Sequence, residues 1–247
     1  MISKAKIKQL KALQVKKYRK TEQSFVVEGT KSVIELLKSD FEVLWLAGTR
    51  PFLEQNSKLF SKISEVIKAS EQELLLGGSF QTNDGALAIA RMKPNRPLEV
   101  SKNEFGLVLD DIRDPGNLGT IIRTAEWYGI TKIIASEETA DFYNPKVLSA
   151  SMGSFCRANV FYTSLEAYLK AVTIPVYGTF LEGVDVHQQK FENGGLIVIG
   201  NESNGISSAI EKRITQKITI PRYGKAESLN AGIATGIILD VVSQSKK

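Results

Sequence analysis

Apolar positions along this chain fall into short dense runs and longer spaced sets, and the two kinds alternate. Phe25-Val26-Val27, Glu42-Val43-Leu44-Trp45-Leu46 and Gly85-Ala86-Leu87-Ala88-Ile89-Ala90 are runs of the first kind and predict strands. Around them a basic helix is expected near the start and another helix over 31–38. Leu59, Ile63, Val66 and Ile67 stand at helical spacing and predict a further helix over 59–68. From Phe105 the alternation becomes regular, with strands predicted at 106–109, 131–135, 159–161, 175–178, 196–199 and 217–220. Helices are predicted at 117–128, closed by Gly129, and at 145–152, 165–172, 207–212 and from Ser228 onward. Buried-type strands separated by helices imply a mostly parallel sheet covered on both faces, an α/β fold.

The prolines of Met92-Lys93-Pro94-Asn95-Arg96-Pro97 interrupt this alternation. They divide the chain into a small α/β domain over 1–95, a linker over 96–104 and a larger domain over 105–247. A 43% hydrophobic content over 247 residues is enough for a substantial core. One cysteine, Cys156, excludes an internal disulfide, and with only one histidine, His187, no metal site is expected. The chain contains no apolar run near the roughly 18 residues of a membrane span and no leader-like start, so a cytoplasmic location is expected.

A net charge of +5 alone says little about partners. Its distribution says more, because Lys4, Lys6, Lys8, Lys11, Lys16, Lys17, Arg19 and Lys20 crowd the first twenty residues with no acid among them. Such a basic arm suits phosphate contacts, with Lys16, Lys17, Arg19 and Lys20 as RNA-binding candidates. A solvated helix face or frayed terminus is the plainer alternative.

Three segments of the larger domain carry residues that scaffold alone does not require. In Asp114-Pro115-Gly116-Asn117-Leu118-Gly119-Thr120-Ile121-Ile122-Arg123-Thr124-Ala125 a strand end runs through a glycine loop into a helix, a common ligand position in α/β proteins. Arg123 sits in an otherwise apolar stretch and needs an anionic or carbonyl partner, or a surface pair with Glu126. In Gly200-Asn201-Glu202-Ser203-Asn204-Gly205 a carboxylate, Glu202, follows a strand; it can meet a ligand, pair with Lys212 or cap a helix. In Ile220-Pro221-Arg222-Tyr223-Gly224-Lys225-Ala226-Glu227-Ser228-Leu229-Asn230, Ser228 has the chemistry of a helix N-cap. Gly232 and Gly236 in the following helix each cost about 1 kcal/mol relative to alanine, so something must approach that backbone closely.

Together, N-x-G-x-x-x-R-x-A at 117–125, G-N-E-x-x-G at 200–205 and I-P-x-x-G-x-x-E-S-L-N at 220–230 resemble, in order and spacing, the three motifs of the SpoU/TrmH RNA 2'-O-ribose methyltransferases of the SPOUT superfamily. Ala150-Ser151-Met152-Gly153-Ser154 and Tyr177-Gly178-Thr179 are similar to further family positions, and Lys16 to Gly29 more loosely to an RNA-binding domain that many members carry. The resemblance implies a C-terminal deep trefoil knot, S-adenosylmethionine as cofactor held at Thr179, Gly200, Ile220 and Leu229 with Ser228 nearby, and a homodimer with active sites near the subunit interface. It implies Arg123 as the key residue of a catalytic set in which Asn117, Glu202 and Asn230 are expected to hold Arg123 and the target hydroxyl, and Ser228 to shape the cofactor and nucleophile site. Arg222 stands where the family usually has methionine, and Ala231-Gly232 where it usually has Val-Ser. Neither departure removes a residue with an assigned chemical role.

Under this reading the reaction is transfer of a sulfonium methyl to a ribose hydroxyl in structured RNA, ribosomal in preference to transfer RNA. A guanidinium holds its proton too tightly to be a good base, so Arg123 is expected to orient the ribose and phosphate and to favour the developing alkoxide. The pattern does not assign the proton acceptor. Two other readings compete: a catalytically inactive RNA-binding or ribosome-assembly protein on the same fold, and a nucleotide-binding enzyme using the 116–119 loop. The second is weakened because that loop lacks the lysine of a P-loop.

Overall fold

A computed structural model describes residues 1–61, 63–79, 81–83 and 85–245. The chain forms two compact units. The first comprises Met1–Pro94 with Asp141–Cys156, and the second Asn95–Ala140 with Arg157–Lys247.

In the first unit, helices α1 (Lys4–Leu13) and α2 (Lys16–Glu22) lead into strand β1 (Ser24–Glu28), followed by α3 (Thr30–Leu37) and β2 (Val43–Gly48). Helix α4 (Arg50–Gln55), strand β3 (Val66–Lys68), helix α5 (Glu71–Gly77) and strand β4 (Ala86–Arg91) complete its N-terminal part. The sheet order is β1-β4-β2-β3, with only β2 and β3 parallel. Alternate strand residues face opposite sides. Val26, Trp45, Ala47, Leu87 and Ile89 pack with Ile2, which precedes α1, with Leu10 and Leu13 from α1 and with Leu74 from α5. The basic N-terminus is therefore neither a loose arm nor frayed, since each buried leucine of α1 stabilises the unit by about 1.5–3 kcal/mol. Phe25 packs with Phe41, Tyr143 and Phe155, the last two brought in by the 141–156 segment. That segment was assigned by sequence order to the larger domain, but its aromatic side chains pack it into the first unit.

The predicted helix over 59–68 is corrected. Ser57–Leu59 forms one short 3-10 turn, and Val66–Lys68 is an edge strand in register with Leu46–Gly48. Lys62 lies outside the described residues. Consecutive β-branched Val66 and Ile67 fit a pleated edge better than a helix.

The second unit holds β5 (Phe105–Leu109), α6 (Pro115–Trp127) and β6 (Lys132–Ala135), then, past the helix α7 (Pro145–Ser151) of the first unit, β7 (Asn159–Tyr162) and α8 (Leu165–Lys170). There follow β8 (Val176–Asp185), β9 (Gly195–Ile199), α9 (Ser208–Glu211), β10 (Gln216–Thr219) and α10 (Ala231–Gln244). Its six strands lie in the order β10-β8-β9-β5-β6-β7, all parallel, as the alternation predicts. Val108, Ile134, Val176, Leu196 and Val198 pack on α8 and α9 through Leu165, Leu169 and Ile210. The loops that carry the three motifs follow the carboxyl ends of β5, β9 and β10 and so lie at one end of the parallel sheet.

Candidate active site

The three motif loops meet through side-chain amides. Asn230, not Ser228, is the N-cap of α10: its Oδ1 accepts from the backbone N–H of Gly232 at 2.9 Å and Ile233 at 3.3 Å. Both residues have capping chemistry, but the helix begins at Ala231, so the expected start at Ser228 is corrected. With its carbonyl oxygen so engaged, Asn230 presents its NH₂, which donates to Asn117 Oδ1 at 2.8 Å. Asn117 must then present its own NH₂, and donates to Glu202 Oε1 at 2.6 Å. The dipole of the α10 N-terminus thus fixes, through two amides, a donor on the Glu202 carboxylate.

The supports of this chain are equally specific. Asp114 caps α6, its Oδ1 accepting from Asn117 N at 2.8 Å, which fixes the backbone that carries the Asn117 side chain. Asn201 closes its turn onto Gly205 through two backbone hydrogen bonds and donates from Nδ2 to the Asp111 carbonyl at 2.8 Å. Gly200 is obligatory, because a Cβ there would lie 2.3 Å from the Gly205 carbonyl carbon and 2.4 Å from Ile206 N. Asp111 adopts φ of +61°, a left-handed conformation that aspartate tolerates better than most residues. Its N–H donates to Ser136 Oγ at 3.1 Å, and buried Asp110 accepts from Ser207 N at 2.7 Å.

Helix α10 packs on α6, and the close approach expected at its glycines occurs at one of them. A Cβ on Gly232 would meet the Thr120 methyl at 2.9 Å, whereas Gly236 stands at ordinary distance, 3.8 Å, from Thr124. Further along, the Tyr128 hydroxyl donates to Asp240 at 3.3 Å. Burial, then the Asp240 charge, pushes that phenol upward.

Arg123 is exposed on α6, and its guanidinium makes no hydrogen bond or ion pair among the described residues. The alternative pairing with Glu126 does not form; Glu126 instead accepts from Arg157 at 2.9 Å. Nor does Arg123 touch Asn117, Glu202 or Asn230: six positions beyond Asn117, it turns about 240° around the helix. It shares an exposed face with Trp127, 82% exposed, and α10 exposes Ile233 at 58%. Ser228 and Leu229 are exposed, while Gly200 and Ile220, just past the ends of β9 and β10, and Thr179, within β8, are partly buried.

In the first unit, Lys16, Lys17 and Lys20 are exposed. Arg19 is not an RNA ligand. It is buried, pairs with Asp141 at 2.6 Å and donates from Nη1 to the Leu13 and Gln14 carbonyls at 2.8 Å each, so no part of its guanidinium faces solvent phosphate. Among the described residues no cluster of histidine, cysteine and carboxylates could hold a metal, and no helix is long and apolar enough to cross a membrane.

The sequence model of the SpoU rRNA methylase family matches residues 104–240. The chain belongs to the SpoU rRNA methylase family. Residues 4–88 match a second family, the MRM3-like substrate binding domain. Among curated relatives, the chain is 31% identical to a 23S rRNA (guanosine-2'-O)-methyltransferase, RlmP, of Bacillus subtilis, covering 95% of this chain and 94% of that one. It is 28% identical to the 23S rRNA (guanosine-2'-O-)-methyltransferase RlmB of Acinetobacter baylyi, over 85% and 93% of the two chains. Among solved structures, an AdoMet-bound rRNA methyltransferase from Sinorhizobium meliloti superposes with a TM-score of 0.88 at 30% identity, covering 99% of this chain and 96% of that one.

Proposed function

We propose that this SpoU-family methyltransferase transfers a methyl group from S-adenosylmethionine to a ribose 2'-hydroxyl of structured RNA, ribosomal in preference to transfer RNA. The observation that carries the reading is the amide chain Asn230–Asn117–Glu202, which unites the three motif loops at one end of the parallel sheet. The 23S rRNA methyltransferase activities of the relatives from B. subtilis and A. baylyi support the ribosomal target.

The site suits the cofactor on its chemistry. Gly200 and Ile220 follow the carboxyl ends of β9 and β10, and Thr179 lies within β8 just past its last pair with β9, so backbone donors and acceptors run out of ladder partners at all three, and Leu229 adds an exposed apolar side chain. The cofactor, when bound, supplies an electrophilic methyl on a cationic sulfur. Asn117 and Asn230 hold Glu202 at the loop junction, Ser228 lines the approach to it, and Arg123 orients the RNA phosphate and ribose and stabilises the developing alkoxide. Positioning is the chain's main contribution, since the displacement must be in line.

The trefoil knot and the homodimer belong to the same reading. After β10, at the sheet edge beside β8, the chain returns to lay α10 on α6, which follows central β5; residues 220–230 must cross the strand ends to do so, as a threaded C-terminus would. Dimerisation through the α6 and α10 faces would cover Trp127 and Ile233 and bring Arg123 to the interface. A cytoplasmic location belongs to the same reading.

The test is titration of S-adenosylmethionine followed by a methyl-transfer assay on ribosomal RNA, for wild type and Arg123→Ala. The variant is expected to keep cofactor affinity and lose transfer by about 100-fold or more, the scale of removing an oxyanion-stabilising group. Full activity in the variant rejects the role of Arg123, and failure of wild type to bind the cofactor favours the inactive RNA-binding alternative.

A further inference from the structure

Residues 220–230 cross the candidate site from one side to the other. At the start of this span the Thr219 hydroxyl donates to the Leu181 carbonyl at 3.1 Å, two residues past Thr179. At its end Asn230 donates to Asn117 and so joins the amide chain to Glu202. Between these anchors every residue from Arg222 to Leu229 is exposed. Among the described residues, the only hydrogen bond made between Pro221 and Leu229 runs from Arg222 Nη1 to the Ala226 carbonyl at 3.4 Å. That bond closes a short loop, and Tyr223 stands on it, 97% exposed. Three residues from Ile220, it lies no more than about 11 Å away along an extended chain.

A lone exposed aromatic on an ordinary surface calls for no explanation. Tyr223 differs in its place and in its neighbours. The motif loops 110–117 and 200–205 carry no aromatic residue. The Phe180 ring, beside Thr179, is already engaged, partly buried in the core with the Lys217 ammonium over it at 4.7 Å. Tyr223 is therefore the aromatic ring that the site leaves free, with no aromatic or cation–π contact among the described residues. Gly224 follows it, and the fold does not demand that glycine: its φ is not left-handed, and a Cβ there would meet nothing within 4 Å. The open space beside the ring is room for close approach of an occupant.

The reaction says what that occupant is. A ribose 2'-hydroxyl is the same on every nucleotide, so the reacting atoms cannot select the target; a group that meets the base beside that ribose can. In-line transfer also needs the nucleotide held still, and a base drawn out of its stack is held by an aromatic face. Charge does not do this work here, because Glu227 offsets Arg222 and Lys225 on the same loop. We infer that Tyr223 stacks on the base of the nucleotide whose ribose is methylated, selecting an unstacked target and holding its 2'-hydroxyl for transfer. The inference rests on the methyltransferase reading and deepens it by naming a specificity-determining residue.

The test uses the full chain, S-adenosylmethionine and unmodified ribosomal RNA transcribed in vitro. Tyr223→Ala should lower kcat/KM about 5- to 100-fold, the scale of one lost base–aromatic stack. Tyr223→Phe and Tyr223→Trp should retain transfer, because the contact is the ring face. Cofactor affinity by calorimetry, association state by sedimentation and melting temperature should be unchanged in all three, since the side chain is exposed. Once the modified nucleotide is mapped, the same RNA with that base removed should slow wild type to the rate of Tyr223→Ala and slow the variant no further. Undiminished transfer by Tyr223→Ala, or losses that add when ring and base are both removed, overturns the inference. So does a matching loss of cofactor affinity, which makes the ring a cofactor cover, or an altered association state, which makes it a subunit contact. All these outcomes leave the methyltransferase reading intact. No transfer by wild type overturns that reading and the inference with it.

Discussion

Exchanging the chemistry of Asn117 and Glu202 probes the amide chain directly. Asn117→Asp replaces the NH₂ that donates to Glu202 over 2.6 Å with an acceptor, so two carboxylates face one another where a hydrogen bond stood. The lost charge-assisted bond is worth about 1.5–3 kcal/mol. Coulomb repulsion at about 4 Å and an effective dielectric near 20 adds up to about 4 kcal/mol, reduced because both side chains are partly exposed and can rotate apart. A net destabilisation of about 2–4 kcal/mol is expected. Glu202→Gln alone keeps an acceptor for Asn117 and costs about 1 kcal/mol. In the double variant the introduced amide donates to the introduced carboxylate, which still accepts from Asn230, so the chain closes with its polarity reversed. Urea denaturation should therefore show the double variant more stable than Asn117→Asp, with a coupling of at least about 1.5 kcal/mol. Methyl transfer should stay low in the double variant, because the Glu202 charge is gone. Additive stabilities would refute the hydrogen-bonded geometry on which the site is built.

Three other consequences can be measured. Asp141→Ala leaves the buried Arg19 guanidinium without its counter-ion and should cost about 3–5 kcal/mol in chemical denaturation, whereas Lys17→Ala, exposed on the same helix, should change stability by less than about 0.5 kcal/mol. Gly200→Ala forces a Cβ into the Gly205–Ile206 backbone and should open the Asn201–Gly205 turn, weakening S-adenosylmethionine binding in a calorimetric titration. Tyr143 is buried against Phe25, and burial pushes its phenol up to about 12 while its oxygen accepts from Lys93 N. The unfolded chain ionises this tyrosine first, near pH 10, so about 2–3 kcal/mol of stability is fully present below pH 10 and lost as pH rises to 12. Tyr143→Phe should remove that component of alkaline destabilisation in a melting series.

The sheet of the second unit was legible because parallel strands buried on both faces, such as Leu196 to Ile199, leave unbroken apolar runs that few other structures produce. Helix 59–68 was misread because one short edge strand, Val66–Lys68, mimics helical spacing when taken with Leu59 and Ile63. Helix α5 carried a readable start, the Ser70 to Glu73 capping box, which apolar periodicity alone passes over. Ser228 and Asn230 offer equal local claims to cap α10, and the sequence does not show that the Asn230 amide is also held from its other end by Asn117, 113 positions away. Arg19 looked like its lysine neighbours because charge in a sequence says nothing about burial; its partner Asp141 is 122 positions distant. The same blindness to long-range packing placed 141–156 with the wrong unit. Asp111's left-handed backbone has no sequence signature beyond the tolerance of aspartate for it.

The central claim concerns which atom receives the methyl group, and nucleoside mass spectrometry of ribosomal RNA incubated with this protein and S-adenosylmethionine reads that atom. A 2'-O-methylated nucleoside formed by wild type and absent with Arg123→Ala is the predicted result. Methylation on a base, or undiminished ribose methylation in the variant, would contradict the account.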